Sequence, residues 1–96
     1  MIGKLHIYNK KKILACCDKH LLNTTIKYKN ININLKESFY GDQVIREVEL
    51  LEYVDDCDQA NIFGRKVCDI LLKNNKIKED QIVYINKIPH VQIYKI

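Results

Sequence analysis

The chain has 96 residues, 47% of them hydrophobic and 29% charged, with a formal net charge of +4. This describes one domain with one modest core and excludes a disordered chain. No apolar run approaches the roughly 18 residues a membrane span needs. Lys4 and His6 interrupt the N-terminal apolar stretch before Lys10, so no secretory leader is expected and the chain reads as a cytoplasmic protein of residues 1–96.

In chain order, Lys4 to Tyr8 alternates, with Leu5 and Ile7 opposed to Lys4, His6 and Tyr8, the pattern of a half-buried strand. Asn9 through Lys12 is a polar turn and Ile13 to Cys17 an apolar run of strand length. Together they predict a β-hairpin with Lys10, Lys11 and Lys12 at its tip. Asp18 to Asn23 reads as one helical turn that Asp18 caps. Thr24 to Tyr28 is extended, and a turn at Lys29 and Asn30 leads to a strand in which Ile31, Ile33 and Leu35 alternate with Asn32, Asn34 and Lys36. Ser38 to Asp42 is expected to be a loop.

From Gln43 or Glu47 the period becomes helical, with Val44, Val48 and Leu51 as the apolar stripe, joined by Ile45, Leu50 and Val54. Asp55 to Asp58 is the joint before a second, longer helix. Its stripe is Ala60, Phe63, Val67, Ile70 and Leu71, and Gly64 sits on it where another backbone would approach closely. Asn74 and Asn75 supply a left-handed cap. Gln81 to Ile85 and Val91 to Tyr94 are the last strands, joined by a turn at Asn86 and Lys87. The order predicts an α+β fold, a mostly antiparallel sheet with two helices packed on one face.

The net charge hides a segregation. Residues 1–36 carry +7, residues 37–58 carry −7 and residues 59–96 carry +4. A basic β-surface of Lys4, Lys10, Lys11, Lys12, Lys27 and Lys29, interleaved with His6, Tyr8 and Tyr28, suits a single-stranded RNA partner or a ribonucleoprotein. Isoleucine (15), lysine (14) and asparagine (9) have AT-rich codons, so part of the lysine excess reflects base composition rather than binding. The acidic segment 47–58 offers an alternative, a docking surface for a basic protein, and an unpaired sheet edge offers homodimerisation.

No glycine-rich phosphate loop, HExxH or GxSxG motif is present, and no cofactor or metal is implied. Four cysteines without a CxxC spacing read as reduced, buried thiols. An enzyme would have to rely on Cys17 or His90, with His20 near the former. Two polar groups stand out. Asn61 is read at the start of the second helix with Arg65 four residues on, and His90 follows Pro89 with Gln92 on the same strand face.

Cys17-Asp18 followed by Leu21-Leu22, then Glu37-Ser38-Phe39-Tyr40-Gly41, Ala60-Asn61-Ile62-Phe63-Gly64 and Ile88-Pro89-His90-Val91-Gln92 come in an order and spacing that resembles the archaeal domain-of-unknown-function family 424. The resemblance covers nearly the whole chain. One departure is Asn23, where the family's pattern calls for glycine after the double leucine; asparagine tolerates the left-handed conformation better than most residues. The resemblance implies a stand-alone archaeal cytosolic protein with no enzyme activity to carry over and a setting near the ribosome and translation factors. It also places Asn61, Gly64, His90 and Gln92 at motif positions, and so implies one polar site.

Overall fold

A computed structural model describes all 96 residues. The elements run β1 (Ile2–Tyr8), β2 (Lys11–Cys17), β3 (Thr25–Tyr28), β4 (Ile31–Asn34), α1 (Glu37–Tyr40), α2 (Glu47–Asp56), β5 (Gln59–Phe63), α3 (Arg65–Lys73), β6 (Val83–Ile85) and β7 (Ile88–Tyr94), with 3₁₀ turns at Lys19–Leu21 and Glu79–Gln81. The fold is α+β. A mixed, mostly antiparallel sheet has the order β1-β2-β5-β7-β6, and β3-β4 forms a separate two-stranded sheet. Only β2 and β5 run parallel.

The local predictions hold where a turn or a water-facing side sets the pattern. Asn9 and Lys10 both take positive φ (50° and 66°), as do Asn86 and Lys87 (50° and 67°). These pairs close the β1-β2 and β6-β7 hairpins as two-residue turns whose twist matches the strands; the first turn is thus narrower than Asn9–Lys12, and of the three lysines expected at its tip Lys11 and Lys12 instead open β2. Asn23 takes φ 61°, so the left-handed turn survives without glycine, and its Oδ1 accepts from the Glu37 N–H at 3.2 Å. α3 ends as the two asparagines predict. Asn75 has φ 58°, and the N–H groups of Lys76 and Asn75 donate to the carbonyls of Leu71 and Leu72 at 2.9 and 3.0 Å.

The main correction is β5. Ala60 and Phe63 belong to a strand, not a helix, and the helix starts only at Arg65. β5 lies between β2 and β7, with Ala60 and Ile62 in one core and Phe63 in the other. Gln59-Ala60-Asn61-Ile62 does alternate, as a strand with one partly open face should, but Phe63 breaks the alternation just before the helix. Ala60, Phe63 and Val67 then mimic a helical stripe across the strand-helix junction.

There are three α-helices rather than two, because Glu37–Tyr40 is a turn of helix, which takes up the first half of the loop expected over Ser38 to Asp42. The stripe expected in α2 also shifts. Val44 and Val48 are exposed, while Ile45, Leu50 and Val54 are buried.

Two cores result. One joins Leu50 and Val54 of α2 and Val67, Cys68 and Leu71 of α3 to Leu14, Cys16, Ala60, Ile62 and Val91. The other joins Ala15, Cys17 and Phe63 to Leu21, Ile26, Leu35 and Tyr40. The second core covers only part of its sheet face, and the uncovered part is where the site lies.

Candidate functional site

Cross-strand register orders the second sheet face into rows. The top row is Ile2, Cys17, Phe63 and His90, and it lies beneath the second core. The middle row is Lys4, Ala15, Asn61 and Gln92. The lower row is His6, Ile13, Gln59 and Tyr94, and Tyr8 sits opposite Lys11 beyond it. At about 4.8 Å between strands, a row of four spans roughly 14 Å.

The lower row stays open, and so do Lys4, Asn61 and Gln92 of the middle row, in part or fully, while Ala15 between them is buried in the second core. Tyr8 is 69% and Tyr94 66% exposed, and Lys4, Lys10, Lys11 and Gln92 are exposed. The ring of Phe39 from α1 stacks on His6 at 5.1 Å and 16°, and the His6 Nε2–H donates to the Phe39 carbonyl at 2.6 Å. Between Phe39 and Tyr94 lies a pocket of about 220 Å³, lined by Ile13, Gln59, Ala60, Asn61 and Gln92. The buried Tyr40 O–H donates to Asn61 Oδ1 at 3.4 Å, which leaves the Nδ2 hydrogens for another acceptor. Burial pushes the Tyr40 phenol well above its ordinary pKa, so it remains a donor at neutral pH.

The polar motif expected from the sequence divides. Asn61 and Gln92 meet as a cross-strand pair. His90 does not join them: it is buried one row above, stacked on Phe63 at 3.9 Å, and its Nδ1–H donates to the Ile62 carbonyl at 2.8 Å. Arg65 belongs to α3, not to a helical pair with Asn61. Its guanidinium lies over Tyr84 at 5.5 Å and 3.8 Å from Asp69.

The lysines divide as well. Lys4, Lys10 and Lys11 border the open face. Lys12 faces the other side, where its Nζ pairs with Asp56 at 2.8 Å and its backbone N–H donates to Asp58 at 2.8 Å. Lys27 and Lys29 are exposed on the separate β3-β4 sheet, with Lys29 over the Tyr28 ring at 5.3 Å. The sequence reading missed Phe39, Tyr40, Gln59 and Tyr94. Tyr94 had a signal, its two-residue spacing from Gln92; Phe39 and Tyr40 fell in the segment read as loop.

Two other features of the sequence change meaning. The acidic segment is half neutralised within the molecule: Glu49 pairs with Arg46, Asp55 with Lys76 and Asp56 with Lys12. Cys17 has no exposed surface, and burial together with the adjacent Asp18 pushes its thiol up to about 11, the opposite of what a nucleophile needs.

The largest cavity, about 1040 Å³, lies at the start of α3 among Lys19, His20, Arg65 and Lys66. A helix N-terminus attracts anions, but this one is already occupied by the chain's own carboxylate. Asp18 accepts from the N–H groups of Lys66 and Val67 at 3.1 and 3.0 Å.

Comparison with known proteins places the chain. It belongs to the family described as protein of unknown function (DUF424), whose model matches residues 6–96. It is similar to an uncharacterized conserved protein from Methanopyrus kandleri, whose crystal structure aligns with a TM-score of 0.83 at 25% identity, over 97% of this chain and 89% of that one. No curated protein matches. No helix is long and apolar enough to cross a membrane.

Proposed function

We propose that this family member is a non-enzymatic binding protein of the archaeal cytosol that engages single-stranded RNA, free or within a ribonucleoprotein of the translation apparatus. With α2 and α3 packed together on one face of the sheet, the uncovered half of the other face is the binding surface. One observation carries the reading: the His6-Phe39 stack and Tyr94, with Tyr8 beyond them, lie on the open side of the Asn61-Gln92 amide pair, with Lys4, Lys10 and Lys11 at the border. Aromatic rings stack on bases of any sequence while lysines neutralise phosphates, and a sheet face is a common platform for both. Lys27 and Lys29, exposed on the separate β3-β4 sheet, would offer phosphates a second contact. A second reading has its own observation, because β1 is an edge strand and its Ile7 is 72% exposed, which suits homodimerisation.

Fluorescence anisotropy with a labelled RNA oligonucleotide, repeated across salt concentrations, tests the first reading. The slope of log affinity against log salt is expected near −0.7 per phosphate contacted, so about −2 for three lysines. Absence of binding at low salt sinks the reading. Light scattering on the same samples reports a dimer.

A further inference from the structure

The pocket between Phe39 and Tyr94 is more than a stretch of exposed sheet. At about 220 Å³ it has the room of about seven waters at ~30 Å³ each, which suits one flat ring rather than a folded chain. Its floor is apolar at Ile13, and its polar groups converge from neighbouring strands. Gln59 and Asn61 come from β5 and Gln92 from β7. An apolar slot with few convergent amides is the composition of a small-ligand site.

Resting on the single-stranded reading above, we propose that this pocket takes one nucleobase of the bound strand, with Phe39 and Tyr94 against the ring and Asn61 and Gln92 on its polar edge. Every base carries an acceptor beside a donor on its Watson–Crick edge, the edge by which unstacked bases are read. Tyr40 is a positioning residue here: by donating to Asn61 Oδ1 it turns the amide so that Nδ2 meets the base acceptor, and the exposed Gln92 carbonyl is then free to take the base donor. Lys4 and Lys11, in the adjoining positions, face the flanking phosphates.

The experiment compares oligo(U) with an abasic ribose-phosphate oligomer of equal length, for the wild type, Asn61→Ala, Gln92→Ala, Tyr40→Phe and the double variant Tyr40→Phe/Asn61→Ala. The wild type is expected to bind oligo(U) about tenfold or more tightly than the abasic oligomer, as stacking and edge contacts to a base predict. Asn61→Ala and Gln92→Ala shrink that ratio and leave the salt slope unchanged. Tyr40→Phe shrinks it in the wild type but has no further effect in Asn61→Ala, which a merely structural tyrosine would not show. Equal binding of both oligomers by the wild type overturns the base pocket while the lysine-phosphate reading stands. A ratio unmoved by Asn61→Ala and Gln92→Ala also overturns it. Binding of neither oligomer removes both readings. Circular dichroism on each variant confirms that it is folded.

Discussion

The carboxylate of Asp18 lies against the Cα of Gly64. A Cβ at position 64 would meet both Asp18 oxygens at 2.6 Å, and Gly64 has φ 122°, a conformation L side chains rarely adopt. The close approach lets Asp18 cap α3 across the fold, in place of the 3₁₀ turn that follows it in sequence. Gly64→Ala is therefore expected to cost about 1–3 kcal/mol, since it adds both strain and a clash. Asp18→Ala removes the cap and costs about 0.5–2 kcal/mol. Combined, the two should cost less than their sum, because removing the carboxylate relieves the clash. Urea unfolding of the three variants measures the coupling; strict additivity would contradict it.

The lysines at the first hairpin should separate in function. Lys10→Glu and Lys11→Glu are expected to weaken RNA binding and to flatten the salt slope by about 0.7 each. Lys12→Ala should leave the slope alone, because its ammonium is engaged by Asp56 on the other side of the sheet. Anisotropy titrations at several salt concentrations decide this, and an equal effect at all three positions would return them to one surface.

Lys87 offers a stability control away from that face. It holds φ 67° in the second position of the β6-β7 turn, where glycine is the preferred residue. Lys87→Gly is expected to stabilise the protein by roughly 0.5–1 kcal/mol and to leave RNA affinity unchanged. A thermal melt that falls instead would show that the lysine side chain makes a contribution the turn geometry does not account for.

His90 should make stability depend on acid. Burial pushes its pKa down, partly offset by the hydrogen bond to the Ile62 carbonyl. The unfolded chain takes up that proton below about pH 6.5 while the folded chain resists it. The stability it contributes is therefore fully present above about pH 6.5 and is lost as pH falls towards the lower folded pKa. Denaturant unfolding at about pH 7.5 and pH 5.5 should show the drop, and His90→Gln should shrink it. A drop of the same size in His90→Gln would assign it to other groups.

The four cysteines should be inert until the chain opens. All are buried, and Cys17 and Cys68 are pushed up to about 11 and about 12, burial being the largest cause in each. Iodoacetamide at pH 8 is expected to leave the native protein unlabelled, and to label all four thiols in denaturant. Rapid labelling of Cys17 in the folded protein, read by mass spectrometry, would restore it as a candidate nucleophile.

Local chemistry was legible in the sequence wherever one side of an element meets water or a turn demands a special backbone. Asn9–Lys12 and Asn86-Lys87 mark turns, Asn23 and Asn75 mark left-handed positions, and the alternations of Lys4–Tyr8 and Ile31–Leu35 mark strands, because these signals involve residues a few positions apart. The tertiary structure alone decided what depends on register between distant segments. β5 hid because its four-residue alternation is short and runs through Phe63 straight into α3, so that Ala60, Phe63 and Val67 read as one helical stripe. Asp18 found its N–H partners on α3, and Lys12 turned away to Asp56. Asn61 and Gln92 came together on neighbouring strands while His90, two residues from Gln92, stepped one row up into the second core. Which side chains share a row follows from how β2, β5 and β7 slide against one another, and that is fixed by the fit of two opposing cores rather than by any spacing along the chain.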